Sequence, residues 1–220
     1  MVVVHFIRHA ESTGNVNNHI VGGRSSHLPL TERGVQQAHL LGQRLKEDQI
    51  KFDKVYASDA VRAIETAQIA LSYLNFPPKE INKHPQLAEL SQGDWEGLVR
   101  DDVFTPEVTR TIEKEPLTFR APNGESQEDI RLRMYDWLTQ EVKSLNGQAK
   151  DSKIHIAAFS HGFAIRSLIG YITGADPYIT RRITTYNTSI SSFYLEEGVW
   201  FVERVNDHAH LRGTEFIGHY

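Results

Sequence analysis

Two histidines and two arginines occupy corresponding positions in three separated stretches of this chain. An apolar, β-branched run at residues 2–7 leads straight into Arg8-His9. A second run, Phe52 to Ala57, leads into Ser58 and, one helical turn later, Arg62. A third, Ile154 to Phe159, leads into Ser160-His161-Gly162. Short apolar runs bounded by polar turns read as buried strands. In open α/β sheets ligands collect beyond the carboxyl ends of the strands. These segments can therefore bring Arg8, His9, Arg62 and His161 to one point. The chemistry open to such a set is phosphoryl chemistry. The guanidinium fork matches phosphate oxygens, and imidazole can attack phosphorus or donate a hydrogen bond. Helices opening after Ser58 and Gly162 can also aim N-terminal amides at an anion.

Taken singly, each residue has a plainer reading. A histidine after a strand is usually solvated or capping, Arg62 alone reads as a surface helix residue, and His161 beside Gly162 reads as a turn. Independent surface residues, however, have no reason to end three strands alike. The chain has eleven histidines. Those other than His9 and His161, among them His5, His19, His84 and His210, are read as structural or surface residues. No H-E-x-x-H or comparable spacing is present, so no metal is expected.

The elements that must position these residues alternate strand and helix. Residues 10–30 are polar and glycine-containing and read as a loop. Thr31 caps a helix whose apolar residues are Val35, Ala38, Leu41 and Leu45. Ser58-Asp59 is expected to cap the next helix, with Ala63, Ala67, Ala70 and Leu74 inward and Pro77-Pro78 ending it. Residues 98–125 are the least regular and are expected to form an insertion lying over the active site. Ser126 and Asp129 form a capping-box pattern. It opens a helix carrying Ile130, Met134, Trp137 and Val142 or Leu145, which Asn146-Gly147 should end. The strand at 154–159 is followed by a helix with Ile165, Leu168, Ile169 and Ile172, closed by Gly174. Ile190 to Leu195 and Val199 to Val205 read as a hairpin around Glu196-Glu197-Gly198. The expected fold class is α/β: a three-layer α/β/α sandwich with a mixed, mostly parallel sheet, as one domain spanning residues 1–220.

Composition narrows the function. With 220 residues, 40% hydrophobic and 24% charged, the chain has ordinary globular proportions and can bury a sizeable core. A net charge of −4 argues against a nucleic-acid partner, which needs a broad basic surface. It leaves room for a small anionic substrate met by a local arginine cluster. There is no cysteine, which excludes disulfides, thiol catalysis and cysteine-ligated metal. The apolar N-terminal run is too short for a signal peptide, and no stretch approaches a membrane span. A soluble, cytoplasmic protein without a membrane partner is expected. Oligomeric state is not legible.

The segment Arg8-His9-Ala10-Glu11-Ser12, with Asn15 following, resembles the signature of the histidine phosphatase superfamily, which includes the phosphoglycerate mutases. The resemblance continues in order along nearly the whole chain. It runs through Leu28-Pro29-Leu30-Thr31 with Gly34, then Gln37-Ala38. Next come Ser58, Arg62-Ala63 and Thr66-Ala67, and then Leu87, Glu89 and Gly93 to Gly97. Later matches are Asn123-Gly124-Glu125-Ser126, Ser160-His161-Gly162, and Asn206-Asp207 with His210-Leu211. The resemblance implies a phosphoglycerate mutase-like fold and a phosphohistidine mechanism. His9 is then the nucleophile, and Arg8, Arg62 and His161 surround the transferring phosphoryl group with Asn15 as an added donor. Glu89 protonates the leaving oxygen and then deprotonates water. Without the motif, Glu89 would read as an ordinary loop salt bridge. Glu96 is taken as structural, tying down its turn. Two nearby guanidinium groups should lower the His9 pKa. No cofactor is implied for the phosphatase reading.

Two departures from the family pattern stand out. Ala10 replaces the usual glycine after the nucleophile, and Phe163 follows Gly162 where a small residue is usual. The leading expectation is a phosphomonoester hydrolase acting on a small phosphorylated metabolite. The alternative is a 2,3-bisphosphoglycerate-dependent phosphoglycerate mutase, and a third possibility is a catalytically dead binding module. Such mutases carry a lysine- and arginine-rich insertion that holds a second phosphate. Here Arg100, Arg110, Lys114 and Arg120 are scattered among Asp101, Asp102, Glu107, Glu113 and Glu115, a poor balance for that task. Retention of His9, Glu89 and His161 speaks against the dead module.

Overall fold

The computed structural model describes residues 1–145 and 153–217. Six strands form one sheet: β1 (Val2–Arg8), β2 (Lys54–Ala57), β3 (Ile81–Lys83), β4 (Ile154–Ser160), β5 (Ile190–Glu196) and β6 (Val199–Asp207). Their order is β3-β2-β4-β1-β5-β6. The first four in that order run parallel, and β5 and β6 are antiparallel additions beside β1. In chain order the helices are α1 (Thr13–Val16), α2 (Glu32–Glu47), α3 (Val61–Ser72), α4 (Arg100–Val103), α5 (Pro106–Lys114), α6 (Gln127–Leu145), α7 (Gly162–Thr173) and α8 (Pro177–Thr180).

Strand alternation divides the core in two. Val2, Val4 and Phe6 of β1 point to the side covered by α6 and α7, where they meet Ile130, Met134, Trp137, Ile165 and Leu168. Ile7 faces the other side with Leu41, Leu45, Ala67, Ala70 and Leu71 of α2 and α3. Period-two alternation against helical spacing produces three layers: the expected α/β/α sandwich with a mixed, mostly parallel sheet. Trp137 is fully buried against Phe6 and Tyr56; truncating such a residue to alanine costs about 3–5 kcal/mol.

Most helix punctuation follows local chemistry. The Thr31 side chain accepts from the Gly34 amide and caps α2. Ser126 and Asp129 exchange hydrogen bonds at the start of α6, and Gly174 closes α7 with φ of 65°. The β5–β6 turn places Glu197 and Gly198 at positive φ, as a tight hairpin requires.

Several expectations need correction. The cap residue of α3 is Ala60, and Ser58 lies two residues ahead of it; the Ser58 hydroxyl accepts from the Ala60 amide and from His161 rather than from the amides of the first helical turn. The same helix stops at Ser72, before Pro77, because Asn75 turns at φ of 55°. Strand β2 starts at Lys54 rather than Phe52. A short helix, α1, interrupts the loop at 10–30. Residues 98–125 are more regular than their prolines suggest: they hold α4 and α5, with Thr105 capping α5 ahead of Pro106. Asn146 and Gly147, expected to end α6, lie outside the described residues. Among the described residues, no helix is long and apolar enough to cross a membrane.

Candidate active site

Strand register explains why the site residues meet. β1 and β4 pair in parallel with Arg8 opposite Ser160, so His9 and His161 leave the sheet side by side. The His9 amide donates to the Ser160 carbonyl at 2.9 Å. β2 pairs with β4 on its other edge with Ala57 opposite Phe159, which places Ser58 next in line. The Ser58 amide donates to the Phe159 carbonyl at 2.9 Å. Arg62 stands one turn further, at the start of α3. All four expected side chains converge: Arg8, His9, Arg62 and His161 are each 5% exposed or less.

The segment after His9 is held rigidly. The Ala10 amide donates to Thr66 Oγ1 and the Glu11 amide to Gln37 Oε1. Thr31 donates to the Glu11 carboxylate at 2.8 Å. Gly34 lies so close that a Cβ there would stand 2.0 Å from the Glu11 carbonyl. The sequence pattern from Thr31 to Gln37 is thus the clamp behind the His9 loop. Gly162 serves a similar end, since a Cβ on it would stand 3.1 Å from Arg8 Nε.

Hydrogen bonds fix the histidine tautomers. His9 Nδ1 lies 2.7 Å from the Ala10 carbonyl, which can only accept, so the proton is on Nδ1 and Nε2 carries the lone pair. Arg62 Nε donates towards that lone pair at 3.3 Å. Arg62 Nη2 lies 3.2 Å from His161 Nδ1, so this ring keeps its proton on Nε2 and donates to Ser58 Oγ at 2.8 Å. The remaining Arg62 donors hold the Ser25 and Arg24 carbonyls. Arg8 Nη1 donates to the Thr185 carbonyl at 2.6 Å.

Both histidines titrate well below the ordinary imidazole value. For His9 burial is the largest cause, followed by the charges of Arg62 and Arg8. The direction agrees with expectation, but desolvation rather than the guanidinium charges leads. His161 is held low by burial and then by Arg62, with His9 and Arg8 adding to it. Burial also pulls Arg8 down to about 10, which leaves it protonated at neutral pH.

Glu89 follows Leu87 and Ala88 beyond a short 3-10 turn and sits at the mouth of α7. Its Oε1 accepts from the Leu90 amide at 2.9 Å and the Ala164 amide at 3.1 Å, and Oε2 from the Phe163 amide at 3.1 Å. Three cavities meet at this carboxylate. One, of about 310 Å³, is lined by His9, Arg8, Arg62 and Asn15. A second, of about 410 Å³, runs over Arg8, Gly162, Phe163 and Arg166. A third, of about 480 Å³, is walled by Phe104, Ile112 and Phe119 from the 98–125 segment. Asn15 Oδ1 is occupied by Ser12 and by Asn187 Nδ2, leaving its own Nδ2 as a donor. Glu96 accepts from the Arg24, Ser25 and Gln92 amides and ties two loops together. Phe163 packs on the core and also lines two of the cavities.

Asn187, Arg166 and Arg181 lie outside the sequence expectations, and Ser58 takes a role other than the expected cap. Buried Asn187 donates to the His9 carbonyl at 2.9 Å. It comes from a loop without periodicity, next to Thr188, a β-branched residue at φ of 59°. Ser58 orients His161, as above. Arg166 and Arg181 line two of the cavities; on α7, Arg166 reads in sequence as a charge beside an apolar face. Among the described residues no group of three or more potential ligands could hold a metal ion.

A mixed α/β/α sandwich with a histidine-arginine cluster beyond its parallel strands offers donors and positive charge suited to a phosphoryl group. The chain belongs to the histidine phosphatase superfamily, branch 1, whose sequence profile matches residues 4–208. A 2,3-bisphosphoglycerate-dependent phosphoglycerate mutase from Bartonella henselae is 32% identical over 183 residues, covering 81% of this chain and 86% of its own. Among solved structures, Bacillus stearothermophilus YhfR superimposes with a TM-score of 0.77 at 25% identity, covering 96% of this chain and 100% of its own. The α-ribazole phosphatase of Shigella flexneri shares the fold, with a TM-score of 0.76 at 24% identity over 94% of this chain and 96% of its own.

Proposed function

We propose that this protein is a phosphomonoester hydrolase that works through a phosphohistidine at His9. The observation that carries this reading is the tautomer of His9: Nδ1 is tied to Ala10, which leaves the lone pair on Nε2, where it accepts from Arg62 Nε at the wall of the cleft. Arg8, Arg62 and His161 surround the phosphoryl oxygens, and Asn15 adds a donor. The Nε2 lone pair attacks phosphorus as the ester P–O bond breaks, and the leaving oxygen takes a proton from Glu89. Water then attacks the phosphohistidine, giving its proton to the Glu89 carboxylate, and the P–N electron pair returns to Nε2. Neutralising the equatorial oxygens and fixing the line of attack are the main tasks in such a transfer. We further propose that the chain is one domain in which residues 98–125 cover the cleft, and that the enzyme works in the cytoplasm without nucleic acid.

Brief exposure to a phosphomonoester should label His9 with an acid-labile, base-stable phosphoryl group, and His9→Ala should lose both label and turnover. Label persisting in His9→Ala would place the nucleophile elsewhere. The mutase reading is favoured by the name of the Bartonella relative, and phosphorus NMR separates the two. Hydrolysis converts 3-phosphoglycerate to glycerate and inorganic phosphate. A mutase, with 2,3-bisphosphoglycerate present, produces 2-phosphoglycerate faster than free phosphate.

A further inference from the structure

Beyond the phosphoryl pocket, the cleft holds two arginines, Arg166 and Arg181, that form no ion pair among the described residues; the acids whose charge they feel are Glu89 and Glu113. Arg166, on the first turns of α7, lies over the Phe163 ring with its guanidinium carbon 4.7 Å from the centroid. Its Nε is buried and has no hydrogen-bond partner among the described residues. The cavity it lines is shared with Arg8 and Arg181, and Glu89 is the one acid on its wall. Burial holds the Arg166 pKa down, and Arg181 adds to that effect while Glu89 opposes it. Arg181 closes α8 and lines the same two cavities. Three guanidinium groups against one carboxylate leave this lobe positive. Desolvated arginine is stable chiefly when an anion meets it, and its planar fork suits carboxylate or phosphate.

We propose that Arg166 and Arg181 form a subsite for a second anionic group of the substrate, a carboxylate or a second phosphate. This inference rests on the phosphomonoesterase reading and narrows it to substrates with an acid group at each end. Phe163 and Ile183 supply an apolar wall between the two anions, and Thr184 and Thr185 supply hydroxyls. The 98–125 segment contributes Arg100 to the cleft, and Arg166 of α7 and Arg181 at the end of α8 add further positive charge.

Competition against hydrolysis of p-nitrophenyl phosphate tests this. The competitors are ω-carboxyalkyl phosphonates with two to six methylenes, the matching α,ω-bisphosphonates, and ω-hydroxyalkyl phosphonates as neutral partners. At least one doubly anionic member should bind about ten- to a hundredfold more tightly than its neutral match, as charge-assisted pairs do. Comparison of the carboxylate and bisphosphonate arms identifies the second anion. In Arg166→Gln that advantage should collapse towards one, while Arg166→Lys keeps part of it. Arg181→Gln, at the end of a surface helix, should reduce it independently. No advantage at any length in the wild type overturns the subsite, as does an advantage that survives both glutamine variants. A uniform loss for all competitors in Arg166→Gln would assign that residue to positioning Glu89 instead. Failure to hydrolyse the aryl phosphate at all is a separate outcome that overturns the phosphatase reading and the subsite with it.

Discussion

Replacing Glu89 by glutamine separates its proposed chemistry from its visible structural work. The carboxylate accepts three backbone amides, two of them from the opening turn of α7, whose cap residue His161 offers no side-chain cap. A plain structural role is therefore available: Glu89 caps α7 from outside. Glutamine preserves the volume and one accepting oxygen, but sets an NH2 group against an amide donor. One or two charge-assisted bonds at a half-buried position are lost, so stability should fall by about 1–3 kcal/mol. In a chain of this size that lowers Tm by roughly 2–4 °C per kcal/mol. If Glu89 also protonates the leaving oxygen, the kinetic loss depends on the substrate. An alkoxide must receive a proton as its bond breaks, and removing a general acid costs about 10²- to 10⁴-fold, roughly 3–5 kcal/mol of barrier. A p-nitrophenolate leaves without one and should lose less than about tenfold. The assay is kcat/KM on an alkyl and an aryl phosphate, with Glu96→Gln as a control that loosens the Arg24 loop and shows no such selectivity. Equal losses on both substrates in Glu89→Gln would refute the acid and leave the cap.

Other measurements reach different parts of the site. Sulfate, a dianion that does not titrate near neutrality, should take up about one proton on binding at pH 7. His161 is neutral in the free protein and needs a proton on Nδ1 to donate; buffer-dependent binding enthalpy checks this, and His161→Gln should abolish it. His5 titrates at about 3 instead of 6.5 because it is buried between Ser192 and His155. The unfolded chain binds its proton below pH 6.5 and the folded chain does not, so stability is lost as pH falls. The loss from His5 alone is about 2 kcal/mol by pH 5; in His5→Gln the unfolding free energy from urea titrations should fall by about that much less between pH 7 and pH 5. Asn187→Ala removes the donor to the His9 carbonyl and should lower kcat more than it raises KM, as steady-state kinetics will show.

The parts of the site that sequence disclosed are those fixed by strand register. His9 and His161 follow directly on strands that pair in parallel, so reading the strands located the side chains. Arg62 was legible because one helical turn from a strand end is a fixed displacement. Glu89 was visible only through the family motif, since it lies in irregular backbone where periodicity carries no information. Ser58 fits the cap pattern in sequence because any serine ahead of a helix does; only tertiary structure brings His161 Nε2 to its hydroxyl. Arg166 and Arg181 escaped notice for a related reason. Their common feature is that both line the same two cavities, and that is a property of three-dimensional surroundings.

Burial also reconciles two opposing demands on the site. In the proposed reaction His9 must be uncharged to keep its lone pair, while Arg8 and Arg62 must stay charged to stabilise the phosphoryl oxygens. One desolvated environment provides both, because it pushes imidazole and guanidinium in the same direction from very different starting values. His9 begins at 6.5 and is carried far below neutrality. Arg8 begins at 12.5 and, brought to about 10, stays a cation. Solvent exposure would reverse only the first effect. It would let the imidazole protonate in mild acid while weakening each guanidinium's hold on phosphate through a higher dielectric. The tight backbone clamp behind Ala10 and Glu11 packs closely against the His9 segment and helps keep His9 buried. Loosening that clamp, for example by Thr66→Ala beneath the Ala10 amide, should raise the His9 pKa and shift the acid limb of kcat/KM upward.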